Sequence, residues 1–328
     1  MASVSAPPTT KLRRAAHHYS SRMAGELTNA YLGVRHRWRW TVTRNPASER
    51  LFRAAPPAMT ADRRRIAESL AATGIAVTSA DEIGLPDAPR RALDDMLAEF
   101  VASERVQSVL HLDAESAARR LRKGDDYMVK RFPEPPTLAA SNPLLRVGLD
   151  AAVLDPVNSY LRLWARLTYT DLWHTIPVDV GRRIGSQQWH RDPEDLEMVK
   201  VYYYHTAVTE DSGPLEYVRE SHAHGRFGKL WGWHPTVTHG DRYPNEEQLD
   251  RAVPREQRVL ATGPAGTIVF CDTSGLHRGG ISRGAPRIVA TWTFVTPASI
   301  GVSAWRRFTV EDDGTLSSYS AAARTALV

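Results

Sequence analysis

The chain has 328 residues, 42% hydrophobic and 24% charged, which suits one large globular domain with additions. A single cysteine, Cys271, excludes an internal disulfide framework, no apolar run approaches the roughly 18 residues of a membrane span, and the start lacks a secretory apolar core, so the expected location is cytoplasmic. The net charge of +5 is uneven: residues 1–57 carry ten Lys or Arg against two acids, 10 − 2 = +8, which leaves 5 − 8 = −3 for the rest.

Within that basic stretch, Tyr31-Leu-Gly-Val-Arg-His-Arg-Trp-Arg-Trp40 interleaves cations with aromatics, as surfaces for nucleic acid or anionic lipid do. No nucleic-acid fold signature accompanies it, so nucleic-acid binding is not expected. The preferred reading packs Trp38 and Trp40 on the main domain and leaves the arginines solvated. Asn45-Pro46 and Pro56-Pro57 mark a joint, giving a basic N-terminal extension over 1–57 and a main domain over 58–328.

Thr60 caps a predicted helix over Ala61–Thr73, which Gly74 closes, and a strand runs from Ile75 to Thr78. Further helices are predicted over Asp87–Ser103, Asp113–Lys123 and Pro143–Tyr160. Beyond Tyr160, short runs rich in Val, Ile, Thr, Tyr and Trp are cut by turn residues, predicting strands over Leu167–Ile176, Val199–Thr206, Leu215–Val218, Gly266–Phe270 and Arg287–Val295. The expected class is mainly β, an antiparallel sandwich or barrel with the helices on its outer face.

The pattern His-x-Asp occurs three times. In His111-Leu-Asp113 the aspartate is better read as a helix cap, and His239-Gly-Asp241 lies in a Gly-, Pro- and Asn-rich loop. His190-Arg-Asp192 has a strand context, where residues two apart project to one face and both reach a single ion while Arg191 points away. A third ligand would complete a facial triad that leaves other positions open. His277, between the strand ending at Phe270 and the strand Arg287–Val295, is the candidate.

Arg287 enters an otherwise apolar strand, and an inward guanidinium needs an anion such as a carboxylate. The stretch from His222 to Gln257 gathers His222, His224, His234, His239, Trp231 and Trp233 without metal-ligand spacing, and reads as a loop over the site's mouth in preference to a second metal site.

These residues resemble the phytanoyl-CoA dioxygenase family of Fe(II)- and 2-oxoglutarate-dependent oxygenases. The likeness runs from about Thr60 to Thr296 and is clearest in Gln188-Trp-His-Arg-Asp192, Lys200-Val-Tyr-Tyr-Tyr204, Ser212-Gly-Pro-Leu-Glu-Tyr-Val218 with Ser221-His222, Gly266-Thr-Ile-Val-Phe270 and Leu276-His-Arg-Gly279. It implies a double-stranded β-helix (jelly-roll, cupin-like) core with flanking helices, His190, Asp192 and His277 as iron ligands, and Arg287 as the anchor of the 2-oxoglutarate carboxylate. The interval from His277 to Arg287 is one residue shorter than the family's usual one, which keeps Arg283 as the alternative anchor. Gln188 shares the ligand face and is a candidate for cosubstrate binding.

The resemblance also implies dioxygen as oxidant, a small-molecule substrate, and release of succinate and CO2. Asp192 fills the position that is small in related halogenases, so hydroxylation is the expected outcome. Trp173, Tyr202, Tyr204 and Trp292 are candidate pocket aromatics, although strand alternation assigns part of such a set to outer packing. The rival readings are a cupin-like metal enzyme that needs no 2-oxoglutarate and a non-catalytic binding protein of the same fold.

Overall fold

The computed structural model describes residues 30–110, 112–122, 127–178, 181–233, 242–299 and 308–328. The helix Ala61–Thr73 starts at Thr60, whose hydroxyl accepts from Arg63 N at 3.3 Å, and stops at Gly74, left-handed at φ +83°. A Cβ at Gly74 would also meet the Tyr217 hydroxyl at 2.1 Å, so two separate constraints demand glycine there.

The predicted helix over Asp87–Ser103 forms as Asp87–Ala102, and a second helix, Glu104–Leu110, follows it directly. Asp113 accepts from Ser116 N at 2.8 Å, the capping role expected of it, at the head of Ala114–Arg122. The helix predicted over Pro143–Tyr160 is instead two, Pro143–Gly148 and Ala151–Leu161. Asp150 receives Ala152 N at 2.8 Å and caps a fresh start, while Gly148 packs where a Cβ would lie 2.3 Å from the Trp292 ring. A local cap and one close contact thus break a continuous apolar pattern.

The strands, in chain order, are β1 (Ile75–Ser79), β2 (Met128–Lys130), β3 (Thr137–Ala139), β4 (Arg166–Thr175), β5 (Met198–Tyr204), β6 (Leu215–Val218), β7 (Arg258–Ala261), β8 (Thr267–Cys271), β9 (His277–Gly279), β10 (Ile288–Val295) and β11 (Thr309–Glu311). A six-stranded antiparallel sheet has the order β1-β8-β5-β10-β4-β2, a three-stranded sheet the order β7-β6-β9, and β11 pairs with β3 in parallel. Leu172, Ala290, Tyr203 and Ile268 stand in one row on one face of the large sheet and join the main core with helix residues such as Leu97, Leu145 and Val157. Trp173, Val289 and Tyr204 stand on the other, packed with Leu215 and Tyr217 of the small sheet. Helix makes up 39% and strand 22% of the described residues, so the fold is mixed α/β around a large antiparallel sheet and not clearly mainly β. Short helices account for part of the shortfall: Glu104–Leu110, Glu246–Ala252 and Ala321–Ala326 carry too few turns to show an apolar period. The capping box at Asn245 and Gln248 was nevertheless a legible start signal for the second of them.

Residues 30–57 lie against the rest of the described chain through specific bonds. His36, fully buried, reaches Asp195 Oδ1 from Nε2 at 2.8 Å; Asn45 Oδ1 accepts from Ala298 N at 2.9 Å; Ser48 Oγ donates to Trp164 O at 2.7 Å. Trp40 is half-buried, its ring centroid 5.7 Å from that of His36 on the same helix. Trp38 is exposed, against expectation, because it sits on the opposite side of the helix from the docked His36.

Asp155, in the helix Ala151–Leu161, faces Arg63 at 3.6 Å, yet burial, opposed by Arg63 and helped by Asp150, raises its carboxyl to about 6. A folded pKa above the unfolded one means that the fold holds this proton more tightly, so its share of stability is complete below about pH 4 and is lost as pH rises through 6. Asp155→Asn is therefore expected to gain about 1–2 kcal/mol on the parent between pH 4 and pH 7. Melting temperatures of both proteins across that range check it; parallel curves would refute it.

Candidate metal centre

His190 and His277 are held together by their own backbones. His190 N donates to His277 O at 3.0 Å and His277 N returns the bond to His190 O at 3.0 Å, while β9 pairs with β6 so that His277 stands opposite Tyr217. The expected strand context of His190 is corrected: the segment before it is the 3-10 turn Gly185–Gln187, and His190 makes only an isolated bridge. That bridge, with Asp192 N donating to Thr273 O at 2.8 Å, still fixes where both side chains go.

The three side chains converge. One ligand atom from each of His190, Asp192 and His277 lies within 4.8 Å of the other two, and all three residues are buried. Asp192 Oδ1 is 3.7 Å from each Nε2, and the imidazole centroids are 4.2 Å apart. His190 Nδ1 bonds Gln188 O at 2.8 Å and His277 Nδ1 bonds Gly275 O at 3.0 Å, so each ring donates from Nδ1 and keeps the Nε2 lone pair for the centre. Burial, with His190 adding to it, pushes His277 down to about 3, leaving a neutral imidazole suited to a metal.

The other carboxylate oxygen is taken: Lys200 Nζ donates to Asp192 Oδ2 at 2.6 Å. Burial alone would raise the Asp192 carboxyl, but Lys200, His277 and His190 override it and hold the group well below the usual carboxylate range. Burial would likewise discharge Lys200, and Asp192 more than offsets that, so the ammonium stays charged.

Lys200 also lines a cavity of about 200 Å³ with Tyr169, Trp173, Glu194, Lys130 and Thr293, so open volume adjoins the lysine that bonds Asp192. Arg287 is buried, its N donates to Thr175 Oγ1 at 2.7 Å, and its buried Nε meets no protein acceptor. Arg283 is exposed, on the loop whose backbone bonds Asp211. The Gln188 side chain is exposed and lines a separate cavity of about 540 Å³ with Arg183, Tyr243 and Arg278; its carbonyl is what orients His190. Of the four aromatics, Trp173, Tyr202 and Tyr204 pack on the small-sheet side, whereas Trp292 packs under the helices, donating from Nε1 to Leu144 O at 2.7 Å.

Residues 76–288, well over half of the chain, match the family described as Phytanoyl-CoA dioxygenase (PhyH). The chain belongs to that family. It is accordingly a non-haem iron, 2-oxoglutarate-dependent oxygenase. Solved structures similar to it include EctD from S. alaskensis with 2-oxoglutarate and 5-hydroxyectoine, at 19% identity over 79% of this chain and 90% of that one, TM-score 0.45. HygX from Streptomyces hygroscopicus with nickel and 2-oxoglutarate bound is similar at 15% identity over 73% and 88%, TM-score 0.44. The family assignment does not depend on these distant likenesses. No curated protein matches the sequence.

In this phytanoyl-CoA dioxygenase family member, Arg191 has a part that sequence reasoning missed. It points away from the centre as expected, but into a cup of carbonyls: Nε donates to Trp231 O at 2.8 Å, Nη1 to Ser221 O at 2.6 Å and to Ser274 O, and Nη2 to Leu230 O at 2.8 Å and Gly228 O at 3.3 Å. One guanidinium thus fastens the 221–231 segment and the turn before His277 to the residue between two triad members. Among the described residues, that triad is the one cluster of metal-ligating groups. His222 bonds Ala71 O at 3.2 Å and exposed His224 pairs with Glu197, while His111, His234, His239 and Asp241 lie outside the described residues.

Proposed function

We propose that His190 Nε2, Asp192 Oδ1 and His277 Nε2 hold the iron, that Arg287 anchors the far carboxylate of 2-oxoglutarate, and that the enzyme hydroxylates a small-molecule substrate. The convergence of three buried ligand atoms within 4.8 Å carries this reading. Two imidazoles and one carboxylate, the latter kept to one free oxygen by Lys200, suit Fe(II) and leave coordination positions for cosubstrate and dioxygen. The orphaned Nε of buried Arg287 suits an anion. Bound there, the iron would couple decarboxylation of 2-oxoglutarate, giving succinate and CO2, to oxidation of a substrate C–H bond by dioxygen. The chain's own work is to hold and orient these groups and to keep water away. A large and a small sheet facing each other across the centre support a double-stranded β-helix core. Anaerobic addition of Fe(II) and then 2-oxoglutarate should produce the visible charge-transfer band of a chelated 2-oxo acid, and air should then release succinate. Iron binding without that band would favour the cupin-like enzyme that needs no 2-oxoglutarate.

Arg287→Ala is expected to raise the 2-oxoglutarate KM by roughly thirtyfold to a hundredfold, the worth of a charge-assisted bidentate contact, with little change in iron content. Exposed Arg283, altered likewise, should shift it less than about twofold. The reverse ranking in succinate assays would move the anchor to Arg283.

The catalytic unit is proposed to span 58–328, with 1–57 as an extension, supported by the position of every proposed ligand beyond residue 57. Deletion of 1–57 is expected to leave the iron ligands intact but to lower the melting temperature, since it strips buried Asp195 of His36. Iron content and melting temperature of the truncated protein test both halves; loss of iron would place the extension inside the catalytic unit.

A further inference from the structure

The helix over 30–38, continued by the π-helical turn Arg39–Thr43, is apolar on two sides. One side, with His36, is used against the body, through Asp195 and the Trp233 ring. The other is not. Tyr31, Val34, Trp38 and Val42 follow one another at helical spacing and are 64%, 70%, 59% and 52% exposed. Globular proteins do not usually turn such a stripe to water without a use for it.

The stripe is bordered by cations. Arg35, Arg37 and Arg44 are exposed beside it, and the next helix, Asn45–Ala54, adds exposed Arg50, Leu51 and Arg53. Across residues 30–57 the one acid is Glu49, which is half-buried. A surface of aliphatic side chains, a tryptophan and a tyrosine set among arginines matches the headgroup region of an anionic bilayer, where the apolar side chains enter the acyl boundary and the guanidinium groups meet phosphates. Nucleic acid would use the arginines and aromatic rings but has nothing to offer Val34, Val42 and Leu51.

We propose that this face docks the enzyme on anionic lipid surfaces, as a peripheral contact made by the 31–42 stripe and its flanking arginines. The docked side of the same helix reaches Asp195, three residues beyond Asp192, so the lipid-facing element is braced directly on the chain that carries a triad residue. Binding at this face is independent of the iron site, and the two readings fail separately.

The test uses the full chain with sedimentable vesicles of phosphatidylcholine containing about one third phosphatidylglycerol, at low ionic strength. Co-sedimentation is expected, with loss on raising salt and no binding to vesicles of phosphatidylcholine alone. Val34→Asp with Trp38→Asp should lower partitioning at least about tenfold, and Arg35→Glu with Arg37→Glu by a similar factor, with melting temperatures near the parent's. As a check on folding, the milder Trp38→Ser should lower partitioning in the same direction. The proposal is overturned if the parent stays in the supernatant, or if it sediments equally with neutral vesicles. It is also overturned if the Asp variants change self-association and leave vesicle binding intact, or if an oligonucleotide competes while vesicles do not bind.

Discussion

Asp192→Ala is expected to cost the protein both its iron and about 3–5 kcal/mol of stability, whereas His277→Ala should cost the iron and only about 1–2 kcal/mol, for its lost bond to Gly275 O. The difference lies in Lys200. Its ammonium, on a side chain only 12% exposed, holds Asp192 Oδ2 at 2.6 Å, and removing the carboxylate strands a largely desolvated charge that must either stay unpaired or shed its proton. Removing an imidazole strands no charge. Iron affinity should fall more than about a hundredfold in either variant, since each deletes one of three proposed ligands. Pairing Asp192→Ala with Lys200→Met should restore most of the stability and none of the iron. Metal analysis and denaturant unfolding of the metal-free proteins decide the matter, and an Asp192→Ala protein as stable as His277→Ala would show that the Lys200 contact contributes nothing.

Arg191→Ala should be the most disruptive substitution that touches no proposed ligand. The guanidinium donates to carbonyls of Ser221, Gly228, Leu230, Trp231 and Ser274, all of which would lose that donor, the bonds to Ser221 and Ser274 being buried and the other three part-buried. Each orphaned acceptor costs about 1 kcal/mol or more, so a loss of roughly 4 kcal/mol or failure to fold is expected. Arg191→Lys should recover little, because a single ammonium cannot reach acceptors on both sides of a planar fork. Reduced iron content should accompany the instability, since the turn holding His277 loses its tether. A lysine variant with parental unfolding behaviour would refute this account.

How far the sequence revealed these features depends on the range of the interaction. Caps at Thr60 and Asp113, the closing Gly74 and the large strands are set by neighbours a few residues away and were legible. So was the convergence of His190, Asp192 and His277, because two of them share one short motif and the third sits between two readable strands. Arg191, Lys200 and His36 gave no local signal of their roles: their partners come from chain positions that only the fold brings near, as with His36 and Asp195, 159 residues apart. The break at Leu149 and Asp150 was hidden for a related reason, since the contact of Gly148 with Trp292 belongs to the tertiary structure. Strand context failed at His190 because two backbone bonds to His277 form an isolated bridge in place of a ladder.

The Asp192–Lys200 contact also sets an electrical condition on the pocket. On the proposed assignment the pair sums to zero, as do Lys130 and Glu194 of the adjoining cavity, and Arg287 adds +1, so a divalent cation entering alone would bring the count to +1 + 2 = +3. Dianionic 2-oxoglutarate returns it to +3 − 2 = +1. In a buried place of low permittivity such an imbalance is costly, so the cation binds more tightly when the dianion is present. Reciprocity then requires the cation to strengthen the dianion's binding by the same factor. On the proposed assignment, a lysine that looks like a mere brace for one carboxylate would thereby make metal and cosubstrate mutually dependent, and the enzyme would retain its metal best where 2-oxoglutarate is abundant.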